Sequence, residues 1–140
     1  MTGARPATLA DEEEVVALWH ACGLTRPWND PAADFRRALA TPTSTVLLVC
    51  EAADVIGSVM VGFDGHRGWI YYLAVSPPAR RQGVGRTLMA TAERWLRDRG
   101  APKLQLMVRD DNAAALNFYA TLGFEPQNVV TLGRFLKDDT

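Results

Sequence analysis

The sequence predicts an α/β fold, α+β in layout: a mixed, mostly antiparallel central sheet of about six to seven strands with helices on both faces. Three observations predict it. Three strand-like segments follow one another in the middle of the chain with only short turns between them. After Ser76, Pro77 and Pro78 the apolar period changes from two to about 3.6. Beyond that point helical and strand-like segments alternate to the end of the chain.

The elements follow in order. GARPATL at 3–9 reads as a short first strand. Asp11 then caps a helix, DEEEVVALWHAC, whose acidic first turn suits the positive helix N-terminus. Val15, Leu18, Trp19 and Cys22 give that helix one apolar face. Gly23, Pro27 and Pro31 break it, and a second helix over about 32–40 follows Asp30, an N-cap with proline in the first turn. TVLLVCEA, VIGSVMVGFD and GWIYYLAVS form an antiparallel meander. Val84, Leu88, Ala92, Trp95 and Leu96 line one face of a helix that ends at Arg99 and Gly100. LQLMV at 104–108 is a strand, and residues 112–122 form a helix capped by Asp111 or Asn112. FEP and NVVTLGRFL are two last strand candidates, the second an apolar edge able to pair with another copy in a homodimer. No repeat or linker divides the chain, so residues 1–140 are expected to be one domain.

Composition narrows the class. The chain is 48% hydrophobic with mean hydropathy −0.06, and no apolar run approaches the roughly 18 residues of a membrane span. MTGARPATLADEEE lacks the apolar stretch of a signal peptide, so a cytoplasmic protein is expected. The net charge of −1 argues against a nucleic-acid or membrane surface. Cys22 and Cys50 have no metal-ligand spacing, so neither a metal nor a disulfide is expected.

ARRQGVGRTL at 79–88 stands where a strand gives way to a helix. It reads either as a solvated basic turn or as an anion cradle. In the cradle, amides at the helix start face a phosphate, Gly83 and Gly85 open access, and Arg80, Arg81 and Arg86 add charge. Neither a P-loop nor a dinucleotide-binding glycine fingerprint is present. Downstream, NAAALNFYATLGFE makes an amphipathic helix ended by Gly123. The Tyr119 hydroxyl, if turned to a cleft, could protonate a leaving thiolate.

Taken together these stretches resemble the GCN5-related N-acetyltransferases, the GNAT superfamily. RRQGVG at 80–85 matches its [QR]-x-x-G-x-[GA] signature, and residues 112–124 match N-x-x-A-x-x-[FL]-Y-x-x-x-G-F. The resemblance covers the whole chain in element order and looks closest to small stand-alone bacterial members of the YpeA type. It implies the GNAT fold and transfer of an acetyl group from acetyl-CoA to a primary amine of a small molecule or peptide.

By the same resemblance, backbone amides of Gln82, Gly83, Val84 and Gly85, with Arg86 or Thr87, would hold the pyrophosphate. Leu73 and Val75 would pair with the pantetheine arm, and the Val75 amide would face the oxyanion. Arg80 or Arg81 would lie near a phosphate, Asn112 would hydrogen-bond the pantetheine end, and Tyr119 would be the general acid. Trp28, Asn29 and Asp30, in the loop after the first helix, stand where the superfamily builds acceptor specificity.

The match departs in two respects. WIYYLAV carries no glutamate where many members place one on the central strand. Met107 likewise stands where ribosomal-protein N-terminal acetyltransferases carry a glutamate. That leaves Asp30, Asp64, His66 and Glu51 as base candidates. Tyr71 and Tyr72 should alternate in direction, one of them facing the acceptor. The alternative reading is a non-catalytic acyl-CoA-binding sensor. A toxin acetylating aminoacyl-tRNA ranks lower, since the net charge of −1 argues against a basic surface, with a local patch at Arg36 and Arg37 left as its one support.

Overall fold

The structure, a computed structural model, describes residues 3–137. It forms two compact units, one running to Met107 and the other starting at Val108.

In the first unit, β1 (Arg5–Pro6) leads through a single 3-10 turn into α1 (Glu12–Ala21), and α2 (Pro31–Ala40) follows. Then come β2 (Ser44–Glu51), β3 (Asp54–Phe63), β4 (Gly68–Val75), α3 (Val84–Asp98) and β5 (Leu104–Leu106). The sheet order is β1-β2-β3-β4-β5, antiparallel throughout except for the parallel β4–β5 pair. The second unit contains α4 (Ala113–Thr121).

The mixed, mostly antiparallel sheet agrees with expectation, but it has five strands rather than six or seven. FEP and NVVTLGRFL form no strand among the described residues. Val129, Val130, Leu132 and Leu136 stand largely exposed there, although their composition favours strands. The cap of α1 also differs. The Asp11 side chain turns back to accept the Thr8 amide at 2.8 Å and a bidentate pair from Arg5 at 3.0 Å. It thus closes the turn before the helix instead of binding an amide inside it.

Helices cover both faces of the sheet. On one, Val15, Leu18 and Trp19 of α1 and Phe35 and Ala38 of α2 pack against Val46, Leu48 and Ala74. On the other, α3 presses Val84, Leu88 and Leu96 onto β3 and β4. That approach is close: a Cβ at Gly57 would stand 2.5 Å from Val84 Cγ1 and 3.0 Å from Leu88 Cδ1. Glycine there sets how near α3 can lie.

Between the layers sits a buried polar link. Trp19 Nε1 donates to Ser58 Oγ at 2.8 Å, and the Ser58 hydroxyl donates to the Tyr72 carbonyl at 3.2 Å. Ser58 is wholly buried. Ser58→Ala would strand the buried Trp19 N–H and leave the part-buried Tyr72 C=O without this donor, and should destabilise the fold by about 1–3 kcal/mol. Urea unfolding of the variant measures this, and a midpoint equal to wild type would refute it.

Candidate functional site

The site grows out of an irregularity in β4. Met60 pairs with Tyr71 and Ser58 with Ala74, so β4 holds one more residue than β3 over this interval. The extra residue makes a β-bulge, and Tyr72 takes φ +53°, a left-handed conformation unusual for a tyrosine. A bulge breaks the alternation of side chains. Tyr71 and Tyr72 therefore both face the α1/α2 side, against the expectation that they point to opposite sides.

Tyr72 stacks on Trp19 with centroids 3.8 Å apart and planes 9° from parallel, and its hydroxyl donates to Asp34 Oδ2 at 2.7 Å. Burial, and then the Asp34 hydrogen bond, raises the Tyr72 pKa far above its ordinary value. Burial, with the Asp64 charge behind it, raises that of Tyr71 too.

The two tyrosines wall a cleft of about 560 Å³ together with Asn29, Asp34, Arg37 and Ser44. This is a small-molecule size. Asp34 and Arg37 are its only charged lining residues, one helical turn apart on α2. Neighbouring Arg36 is tied to Glu12 of α1 at 3.0 Å.

Beside the cleft, β4 has an open edge. Its pairing with β5 stops at Ile70 with Leu106, and among the described residues no strand pairs with 71–75 on that side. The edge includes Leu73 and Val75. The Val75 carbonyl already accepts Arg80 Nε at 3.1 Å and the Cys22 thiol at 3.4 Å, so Arg80 is folded back onto the strand end.

The chain then turns through 76–83 into α3. Gly83, at φ +82°, is the left-handed residue from which the helix starts. The first intrahelical bond runs from the Thr87 amide to the Gly83 carbonyl, so the amides of Val84, Gly85 and Arg86 have no intrahelical acceptor. Gln82 Nε2 bonds back to the Pro78 carbonyl at 3.4 Å. The Arg81 and Arg86 side chains are exposed and without a partner among the described residues. Open amides, the helix dipole and free cations make this helix start able to hold an anion.

In the second unit, Asn112 Oδ1 caps α4 by accepting the Ala115 amide at 3.1 Å. The Tyr119 ring meets Phe118 and Phe124 edge-on at 5.2 and 5.7 Å. Burial pushes its hydroxyl up to about 12.

The loop residues divide. Asn29 lines the cleft, while Trp28 is 57% exposed and lies outside its lining. Asp30 Oδ1 caps α2 by accepting the Ala33 amide at 3.1 Å. Asp64 is held by the His66 and Arg67 amides and Trp69 Nε1, which keep its pKa low. Asp34 escaped sequence reasoning, and Arg37 figured there only as part of a local arginine patch with Arg36. An acidic first turn and an arginine in the last look like ordinary helix-dipole complements, and only the tertiary cleft sets them apart. Among the described residues no three His, Cys, Asp or Glu side chains gather to hold a metal, and no helix is long and apolar enough to cross a membrane.

Known proteins resemble this chain in sequence or in fold. An acetyltransferase of Sodalis glossinidius is 45% identical over 130 residues, 92% of each chain. One of Pectobacterium atrosepticum is 43% identical over 129 residues, again 92% of each. The aminoglycoside N-acetyltransferase AAC(6')-Iy, solved in complex with CoA, superposes with a TM-score of 0.82 at 19% identity, over 96% of this chain and 94% of that one. The model of the acetyltransferase (GNAT) family matches residues 13–124, across both units. The family match over residues 13–124, together with these relatives at 43–45% identity, makes this chain a member of the GNAT acetyltransferase family.

Proposed function

We propose that the protein transfers an acetyl group from acetyl-CoA to a primary amine. The observation that carries this reading is the open edge of β4 leading straight into the uncapped amides of α3. Such an edge offers backbone hydrogen bonds to an extended amide-bearing arm, as an added strand would. The helix start offers anion binding to a pyrophosphate. The CoA bound to AAC(6')-Iy in its complex supports the choice of donor. The family match across both units supports treating 1–140 as one functional domain.

In this reading Leu73 and Val75 orient the pantetheine arm, while Gln82, Gly83, Val84, Gly85, Arg86 and Thr87 hold the pyrophosphate, with Arg81 beside it. The neutral amine attacks the thioester carbonyl carbon, and a C–N bond forms. The tetrahedral oxyanion is met by the Val75 amide. The C–S bond then breaks, and the leaving thiolate takes a proton from Tyr119. The nitrogen's surplus proton leaves for solvent, and Tyr119 regains a proton from solvent. Net, amine and acetyl-CoA give amide and CoA thiol.

Incubation with acetyl-CoA and a broad amine panel should release free thiol in step with N-acetylated product. Tight acetyl-CoA binding without amine-dependent thiol release would overturn the reading in favour of a sensor.

A further inference from the structure

The cleft beside β4 is chemically asymmetric, and its two charges are each half-used. Asp34 receives the Tyr72 hydroxyl at Oδ2, while Oδ1 has no partner among the described residues. The Arg37 guanidinium is exposed and likewise without an ion-pair or hydrogen-bond partner among the described residues. Its neighbour Arg36 shows the alternative fate: its Nη1 donates to both Glu12 carboxylate oxygens at 3.0 Å and so joins α2 to α1. Arg37 is thus not serving the packing of the helices. The two groups also stand in order. Asp34 is bonded to Tyr72, the residue before Leu73 on the open edge, whereas Arg37 lies one turn further along α2, about 4.5 Å by helical rise.

We infer that the cleft takes an amino acid-type acceptor, a small molecule bearing both an amine and a carboxylate, with Asp34 Oδ1 receiving the ammonium and Arg37 the carboxylate. The inference rests on the amine-transfer reading above and gives it a substrate class. Three features favour a zwitterion over other amines. The lining carries one charge of each sign, so a zwitterion is complementary to both, whereas a simple amine would engage Asp34 alone. A polycationic amine would meet repulsion at Arg37. The order of the charges sets the amine toward Tyr72 and the open edge, where the thioester would lie, and the carboxylate away from it. Asn29 and Ser44 supply uncharged polar contacts in the same cleft.

The test uses the intact protein with standard amino acids, each paired with its carboxamide, read as kcat/KM and separately by calorimetric binding. The acids should exceed their amides by roughly 10- to 100-fold, the worth of a charge-assisted hydrogen bond. Arg37→Met should erase that ratio while leaving acetyl-CoA binding intact, because Arg37 lies outside the amide cradle. Asp34→Asn should weaken acid and amide alike; since it also alters the Tyr72 bond, Arg37→Met is the deciding variant. Turnover with acids and amides equal, or a ratio that survives Arg37→Met, would overturn the cleft assignment and leave the transfer reading standing. Carboxylate-dependent binding lost in Arg37→Met, without turnover of any amine, would support the assignment and sink the transfer reading. Neither binding nor turnover of any acid overturns the assignment.

Discussion

Gly83→Val combined with Gly85→Val should abolish acetyl-CoA binding in a protein that still folds. Gly83 sits at φ +82°, where an L side chain is strained by about 1–2 kcal/mol. A Cβ there would meet nothing within 4 Å, so nothing in the chain itself clashes. The cost falls on the helix start. A branched residue resists the left-handed turn that aims the following amides, and its methyls project where a phosphate must approach. Losing two amide bonds to a charged group, each worth about 1.5–3 kcal/mol, predicts a Kd weakened at least roughly 100-fold. Calorimetry measures binding and thermal unfolding checks the fold. Gly83→Ala, with strain but little bulk, should lose less. A double variant that binds within a few-fold of wild type would end the cradle reading.

The second large effect is kinetic. Tyr119→Phe removes one oxygen from a ring that keeps its Phe118 and Phe124 contacts. A lost general acid lowers kcat by roughly 10²–10⁴-fold, while the Kd for acetyl-CoA should hold. Since burial raises the Tyr119 pKa to about 12, the hydroxyl stays protonated well into the alkaline range. Its ionisation should therefore bring no fall in kcat below about pH 11. Stability follows the same sign. The folded-state pKa lies above the ordinary value of 10.0, so the contribution is whole below pH 10 and is lost as pH rises toward 12. Melting temperatures should drop across that window in wild type, and drop less in Tyr119→Phe. Unchanged kcat in the variant would move the acid role elsewhere.

The meander and the long helix were legible because punctuation and period agreed: turn signals at Ala53–Asp54 and 65–68, the first one residue late against the turn at Ala52–Ala53, then an apolar face from Val84 to Leu96. Asp30 as cap of α2 was legible for the same local reason, confirmed by its bond to the Ala33 amide. What failed was tertiary. NVVTLGRFL has strand composition, yet a strand also needs a partner ladder, and no residue in the segment announces one. Nothing in IYYLA signals a bulge, because no glycine marks the left-handed position. It is held instead by Ser58, fourteen residues earlier, and by Trp19, more than fifty earlier. The pairing of Asp34 with Tyr72, 38 residues apart, was hidden for the same reason.

That bulge makes the length of β4 a matter of parity. Gly68 abuts Leu96 of α3, whereas Ala74, six positions on, packs with the α1/α2 layer. In an unbroken pleat an even offset would put both on one face. Deleting any single residue between Ile70 and Ala74 would restore a regular strand and turn one half of it inside out. Either Ala74 would be driven toward α3, or the upstream half would show its core side to the wrong layer. The fold therefore fixes the count of residues here: the odd residue is what lets two successive tyrosines look the same way.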